Sequence, residues 1–205
     1  MQILMFVSGA FIVFEGADGA GKSTLCERVS KALSERGLDV VRTAEPTHEG
    51  IGAFIRSGSA GQISQRTEAL LFVADRNDHT EWIQKQVAEG KIVLCDRYFA
   101  STVAYQSARL DGDASEMDWL IRINDEYIDI PDAIILLDID TEVGLGRVDT
   151  RGEEISKFER MDFQKQVRSN YLFLAEQYGF DVIDASKSQD EVFEKAMEII
   201  EAVIQ

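Results

Sequence analysis

The stretch FIVFEGADGAGKST at residues 11–24 decides the fold of this chain. Its apolar run at 11–15 predicts a buried β-strand, its glycine-rich run at 16–24 matches GxxxxGK[ST], and the residues LCERV at 25–29 begin a helical pattern. Strand, loop and helix in this order form the context in which the motif binds phosphate groups. Backbone N–H groups converge there at a helix N-terminus, which favours an anion.

The loop supplies the predicted ATP-binding residues. Lys22 is expected to neutralise the β- and γ-phosphate oxygens, and the Ser23 hydroxyl is expected to ligate Mg²⁺. The alternative, a glycine-rich turn that binds nothing, does not explain the flanking strand and helix. The predicted set is Gly16, Gly19, Ala20, Gly21, Lys22, Ser23 and Thr24.

The rest of the chain repeats a helix, a glycine and a strand. This pattern occurs at 36–40, 89–93 and 178–182, and further strand patterns lie at 11–15 and 133–138. Five strands separated by helices predict an α/β P-loop NTPase fold, a doubly wound five-stranded parallel sheet with helices on both faces. We expect one P-loop domain over 1–205, a short lid insertion at about 147–158, and a final helix that opens with Ser188 and Glu191 as a capping box.

Composition excludes several classes of protein. The chain has 205 residues, with 21 Lys and Arg against 37 Asp and Glu, which gives a formal charge of −16. Such a field repels nucleic acid polymers and anionic membranes, so neither is an expected partner. The opening MQILMF has no basic leader, and we predict no signal peptide. Cys26 and Cys95 lack the spacing of a disulfide scaffold or zinc site, so we expect a cytoplasmic protein.

The remaining choice is between kinds of nucleotide-binding protein. No NKxD motif is present, which argues against a GTP switch, and a motor ATPase usually needs a longer chain. Asp96 ends an apolar strand pattern, where its carboxylate is suited to Mg²⁺, and Arg97 would face the same crevice. A local ion pair that caps a helix is the alternative for these two residues. A kinase and a non-catalytic nucleotide-binding module both stay open.

In order and spacing, the motifs along the chain resemble those of the thymidylate kinases. They are the loop at 11–24, AEPT at 44–47, IR at 55–56, RTEALLF at 66–72, ADR at 74–76, DRY at 96–98, STVAYQ at 101–106, LDID at 137–140, Arg147 and Arg151. The resemblance implies ATP-dependent phosphorylation of dTMP to dTDP, with Mg²⁺ and in a homodimer. A kinase of another nucleoside monophosphate or of a deoxynucleoside is the rival within enzymes.

The resemblance also implies roles for individual residues on the acceptor side. Arg56 and Arg97 would hold the acceptor phosphate, for which guanidinium groups are suited. Phe72 would stack on thymine and Arg76 would donate to a thymine carbonyl. The other implied substrate contacts are Tyr98 at the sugar 2′ position, Asp18 near the 3′-hydroxyl, Tyr105 and Gln106 at the base or sugar, and Glu45 near the water shell of the metal.

The implied catalytic residues are Lys22, Asp96 and Arg97, with Arg147 and Arg151 as lid arginines. The loop between Gly16 and Gly21 holds no basic residue, so charge on the transferred phosphoryl group needs another cation. A surface pair is the alternative for the two lid arginines.

Non-functional roles are also alternatives for two residues outside the lid. Phe72 could be a core residue and Gln106 a solvated helix residue. We expect both histidines, His48 and His79, to lie at the surface.

Overall fold

The computed structural model describes residues 9–58, 63–110, 114–148 and 157–204. Five strands lie in these ranges: β1 Ala10–Glu15, β2 Val40–Ala44, β3 Ile92–Asp96, β4 Ala133–Asp138 and β5 Asp181–Asp184. Eight helices surround them: α1 Lys22–Glu35, α2 Gly50–Arg56, α3 Gln65–Ala88, α4 Phe99–Arg109, α5 Ala114–Asp125, α6 Thr141–Arg147, α7 Lys157–Tyr178 and α8 Gln189–Val203.

The strands form one parallel sheet with the order β2-β3-β1-β4-β5. In its register, Phe14 of β1 lies beside Asp96 of β3 on one side and Ile135 of β4 on the other. Because all strands run the same way, their carboxyl ends meet at one edge, where open α/β sheets bind ligands. The predicted doubly wound α/β fold is confirmed.

The two faces of the sheet bury separate hydrophobic clusters. Ile12 and Phe14 of β1 pack with residues of α1 and α8, whereas Phe11 and Val13 pack with residues of α3, α4 and α7. This alternation follows from the two-residue side-chain period of a strand. Helices therefore cover both faces, as predicted.

The predicted helix ends agree with the structure. The three glycine junctions separate α1 from β2, α3 from β3 and α7 from β5. The Ser188 side chain accepts from the backbone of Glu191 while the Glu191 side chain accepts from the backbone of Ser188, which is the predicted capping box of α8.

The predicted lid begins at Arg147, the last residue of α6, and ends in the first turn of α7. Residues 149–156 lie outside the described ranges, so the lid and the single-domain boundary stay predictions. Among the described helices, none is both long enough and apolar enough to span a membrane.

Candidate active site

The phosphate loop connects β1 to α1 in a conformation that depends on glycine. Gly21 precedes α1 with a φ of 96°, a left-handed value that costs glycine little. A Cβ at Gly19 would lie 2.1 Å from the carbonyl oxygen of Gly144, so the loop can approach α6 only without a side chain there. The Lys22 ammonium donates to the carbonyl of Ala17 at 2.8 Å, which holds it inside the loop.

Lys22 lies in an environment that opposes its charge. Burial and the nearby Arg97 guanidinium lower the pKa of Lys22 to about 7, although the carboxylates of Asp96, Asp18 and Glu15 act in the opposite direction. A phosphate group beside the ammonium would favour the charged form. Burial is thus the main reason why the empty site disfavours the charged form of Lys22.

The strand end at Asp96 contains the predicted metal ligands. Ser23 donates its hydroxyl to Asp96 Oδ2, while Asp96 Oδ1 is buried and has no hydrogen-bond partner. Within the described ranges no group of three or more His, Cys, Asp or Glu side chains could hold a metal ion. Mg²⁺ commonly takes one or two protein oxygens and completes its shell with water and substrate phosphates, so this donor pair fits it.

Arg97 connects the phosphate loop to the acceptor side. Its φ of 73° turns the chain directly after β3, and its NH2 group lies 2.5 Å from Asp18 Oδ1. Its guanidinium lies 5.0 Å from the centre of the Tyr105 ring. Burial would raise the pKa of Asp18, but the positive charges of Arg97 and Lys22 hold it below its usual value. The structure therefore brings Asp18, Arg97 and Tyr105 together.

Two cavities meet at the phosphate loop. One, of about 450 Å³, lies between the loop and the acceptor-side residues; its walls include Lys22, Ser23, Glu45, Arg56, Asp96 and Arg97. We call it the transfer cavity. The other, of about 410 Å³, extends from Gly19 and Gly21 to Leu137 and Ala185. We call this one the donor cavity.

Of the two lid arginines, the structure describes one. Arg147 lines the donor cavity, and its NH1 group donates to the carbonyls of Gly19 at 3.4 Å and Ala185 at 3.3 Å. This places its side chain between the phosphate loop and the segment after β5. Arg151 lies outside the described residues, so its catalytic role stays a prediction.

The turn after β2 positions Arg56. The Arg56 Nε donates to the carbonyls of Pro46 at 2.7 Å and Thr47 at 3.1 Å. Both of these bonds use Nε, and neither uses a terminal nitrogen of the guanidinium. Arg56 and Arg97 both line the transfer cavity, as a pair of acceptor-phosphate ligands would.

Arg76 of α3 lies beneath this turn and is fully buried. It donates to Glu45 Oε2 at 2.6 Å and Thr102 Oγ1 at 2.8 Å and also to Asn124 Oδ1, while its Nε has no partner. Burial of a guanidinium is tolerated because a carboxylate lies against it. The predicted contact of Arg76 with thymine stays a prediction.

Other predicted acceptor residues lie at different depths. Phe72 is half-buried and belongs to neither hydrophobic cluster of the described residues. The structure therefore does not support the alternative that Phe72 is simply a core residue. Gln106 is 2% exposed, which excludes the solvated alternative, and its Oε1 has no hydrogen-bond partner. Their contacts with a nucleotide stay predictions.

Tyr98 lies deeper than a residue of the cavity wall. It is fully buried against Phe11 and Phe99, and its hydroxyl bonds to Thr80 Oγ1 at 3.0 Å and accepts from the backbone N–H of Asp129 at 3.1 Å. Burial raises the pKa of this hydroxyl to about 12. The structure thus gives Tyr98 a packing role, and its predicted role at the sugar is untested.

The expectation for the histidines is right for one and wrong for the other. His48 is exposed. His79 is 5% exposed, with Nδ1 2.9 Å from Glu45 Oε1 and Nε2 2.7 Å from Thr43 Oγ1. The sequence shows two isolated histidines, and only the packing of α3 against β2 and its turn distinguishes them.

Sequence reasoning also missed Glu15, the last residue of β1. This fully buried carboxylate accepts from the backbone N–H of Tyr98 at 2.8 Å and of Ser101 at 3.1 Å, from Ser101 Oγ at 2.6 Å and from Tyr171 Oη at 3.1 Å. Burial raises its pKa. Glu15 thereby caps α4 beside Arg97. An acidic residue ending an otherwise apolar strand was the available signal.

Comparison with known proteins agrees with this geometry. The model of the thymidylate kinase family matches residues 14–196. A probable thymidylate kinase of Pyrococcus horikoshii is 40% identical over 83% of this chain and 84% of its own length. A thymidylate kinase of Clostridium novyi is 39% identical over 91% and 96% of the two chains, and one of Xanthomonas oryzae pv. oryzae is 37% identical over 100% and 88%.

Proposed function

Since the chain belongs to the thymidylate kinase family, we propose that it transfers the γ-phosphoryl group of ATP to the 5′-phosphate of dTMP and forms dTDP. It is a phosphotransferase, and its nucleotide cofactor is ATP. The named relatives favour dTMP over other monophosphates or deoxynucleosides as acceptor, and a non-catalytic module has no support among them.

The observation that carries this proposal is the composition of the transfer cavity. Lys22 of the phosphate loop and the guanidinium groups of Arg56 and Arg97 line one space of about 450 Å³. Two anionic phosphates that approach each other there would each meet a cation. This arrangement suits transfer between phosphates without a covalent enzyme intermediate.

The protein's contribution to the reaction is positioning and electrostatic. Lys22 neutralises charge on the donor phosphates, and Arg97 and Arg56 orient the acceptor phosphate in line with them. Because the acceptor phosphate is already ionised at neutral pH, no general base is needed. Asp18 keeps Arg97 in place through its 2.5 Å ion pair.

Mg²⁺ is the proposed metal. The Ser23 hydroxyl and the partnerless Oδ1 of Asp96 would hold it directly or through water. Both carboxylate oxygens of Glu45 are engaged by Arg76 and His79, so its approach to the water shell of the metal stays a prediction. When bound, the metal neutralises charge on the transferring phosphoryl group.

The experiment is product analysis. Chain, ATP, Mg²⁺ and dTMP are incubated, and dTDP and ADP are separated by ion-exchange chromatography, with Lys22→Met as the matched blank. We expect equimolar dTDP and ADP from the wild-type chain only. ADP release that does not depend on dTMP, or dTDP formation by the blank at the wild-type rate, would contradict the proposal.

A homodimer in the cytoplasm completes the proposal. Large apolar side chains are exposed on α2 and α3, with Phe54 43% and Leu70 50% exposed, which supports contact with a second copy. Both cysteines are free and buried, in keeping with a reducing compartment. Sedimentation velocity at micromolar concentration tests the dimer, and a purely monomeric chain would contradict it.

A further inference from the structure

Helix α3 contacts the turn after β2 through three side chains on one of its faces. Asp75 accepts from the backbone N–H of Thr47 at 2.7 Å, and Arg76 donates to Glu45 Oε2 at 2.6 Å. One turn later, His79 Nδ1 lies 2.9 Å from Glu45 Oε1. The two oxygens of Glu45 are thus divided between Arg76 and His79.

The direction of the hydrogen bond between His79 and Glu45 follows from chemistry. A carboxylate oxygen has no proton to give, so Nδ1 of His79 carries the proton and donates it. Thr43 Oγ1, 2.7 Å from Nε2, has a hydroxyl that suits either form of the ring. The Trp82 ring stacks on the imidazole with centroids 5.8 Å apart, which fixes the plane of the ring.

Of the buried residues Glu45, Arg76 and His79, Glu45 is the one that lines the transfer cavity. It is 4% exposed, and it nevertheless lines the transfer cavity together with Arg56 and Lys22. A carboxylate without its donor on Oε1 could turn toward those two cations. It would then leave Arg76 and place negative charge where the acceptor phosphate has to bind.

We propose that His79 is a positioning residue for acceptor binding: its Nδ1–H group holds Oε1 of Glu45, so that Oε2 stays on Arg76 and the carboxylate stays out of the phosphate path. This proposal rests on the function proposed above. It assigns to a buried histidine a part in acceptor affinity, and it assigns none to the donor side, because none of the His79 contacts reaches the phosphate loop.

Two substitutions of His79 distinguish positioning from packing. The amide of His79→Asn can stand near the Nδ1 position and still donate to Glu45, whereas the longer side chain of His79→Gln reaches the Nε2 position and keeps Thr43 instead. Both remove the stacked ring on Trp82. The exposed His48 supplies the matched control, His48→Gln.

The experiment measures the KM for dTMP, the KM for ATP and kcat for the four chains, together with their melting temperatures and the Kd for dTMP by calorimetry. We expect His79→Gln to raise the KM and Kd for dTMP by about tenfold, the size of one lost charge-assisted hydrogen bond. The KM for ATP and kcat should change by less than about twofold. His79→Asn should restore dTMP affinity to within about threefold of the wild type, and His48→Gln should match the wild type.

Four other results would contradict the proposed role of His79. Equal loss of dTMP affinity in the Asn and Gln variants, or equal loss for ATP and dTMP, would show that His79 only packs. An unchanged dTMP affinity in His79→Gln would overturn the inference while the proposed function stands. A wild-type chain that binds no dTMP would overturn both.

Discussion

The phosphate loop and the acceptor side line the same cavity, but they are assembled from different parts of the chain. The loop is one continuous stretch from Gly16 to Thr24 that follows β1. The acceptor side lines that cavity with the turn after β2 and the ends of α2 and β3, and α3 contacts the turn from outside the cavity lining through Arg76 and His79. The first is a local motif, and the second exists only after the chain has folded.

The two sides also differ in what gives them their shape. The loop depends on backbone conformation, as at Gly21, and on the close approach that Gly19 permits. The acceptor side depends on a buried network of charged and polar side chains around Glu45, Arg76 and His79. Removing one partner from such a network leaves the others unsatisfied. We therefore expect donor-side variants to lower kcat and acceptor-side variants to raise the KM for dTMP.

The largest effect should come from Lys22, the single basic side chain of residues 16–24. Lys22→Met removes the cation at the donor phosphates and should lower kcat by at least about 10³-fold, since lost electrostatic stabilisation is rarely recovered. A coupled ADP-release assay measures this. The control is Lys31→Met, whose side chain is 78% exposed, and it should leave kcat unchanged. A loss below tenfold in Lys22→Met would mean that the loop does not act on the donor phosphates.

The lid arginines should give the next largest effect. Arg147→Ala or Arg151→Ala should lower kcat by at least about 10²-fold with little change in dTMP affinity, because a guanidinium that stabilises the transferring phosphoryl group is worth that much or more. The control is Arg36→Ala, an exposed arginine at the end of α1. If the double variant turns over within about fivefold of the wild type, both arginines are surface charges.

A smaller effect is expected at Phe72. Loss of a ring stacked on a base costs about 1–3 kcal/mol, so Phe72→Ala should weaken dTMP binding by about tenfold or more and leave ATP binding nearly unchanged. Separate calorimetric titrations measure the two affinities. Phe173→Ala, a change of the same residue type at a 45% exposed position of α7, should affect neither. Equal loss of both affinities in Phe72→Ala, with a lower melting temperature, would make Phe72 a structural residue.

The smallest expected effect is the uptake of a proton when ADP binds. With a pKa of about 7, Lys22 is mostly neutral in the empty chain at about pH 8, and a phosphate beside it favours the charged form. ADP binding at that pH should therefore take up a proton, by as much as one per site, and uptake should fade as the pH falls below the pKa. Calorimetry in buffers of different ionisation enthalpy detects this uptake. It should vanish in Lys22→Met; uptake that persists there would assign the proton to another group.

The difference between the two sides also explains what could be predicted from the sequence. The parallel sheet, the phosphate loop and the cap of α8 follow from local patterns, and the structure confirms the sheet and the cap. His79 and Glu15 could not be assigned in this way. The hydrogen bonds of His79 come from β2 and the turn after it, and those of Glu15 come from α4 and α7, so burial and partners arise only from packing.

Arg76 shows the same difficulty. Its ion pair with Glu45 joins residues 31 positions apart, and nothing in the local pattern of α3 identifies a fully buried arginine. The resemblance to the thymidylate kinases pointed to the residue, and packing determines how it is held.

The choice of acceptor is tested most directly by a panel of nucleoside monophosphates in the coupled ADP-release assay, with ATP and Mg²⁺ held constant. We expect the highest kcat/KM for dTMP. For dUMP, which lacks only the methyl group, we expect a value lower by about tenfold to two-hundredfold, and for CMP, GMP and AMP far lower values. If dGMP or CMP is phosphorylated better than dTMP, the assignment of the acceptor side is contradicted.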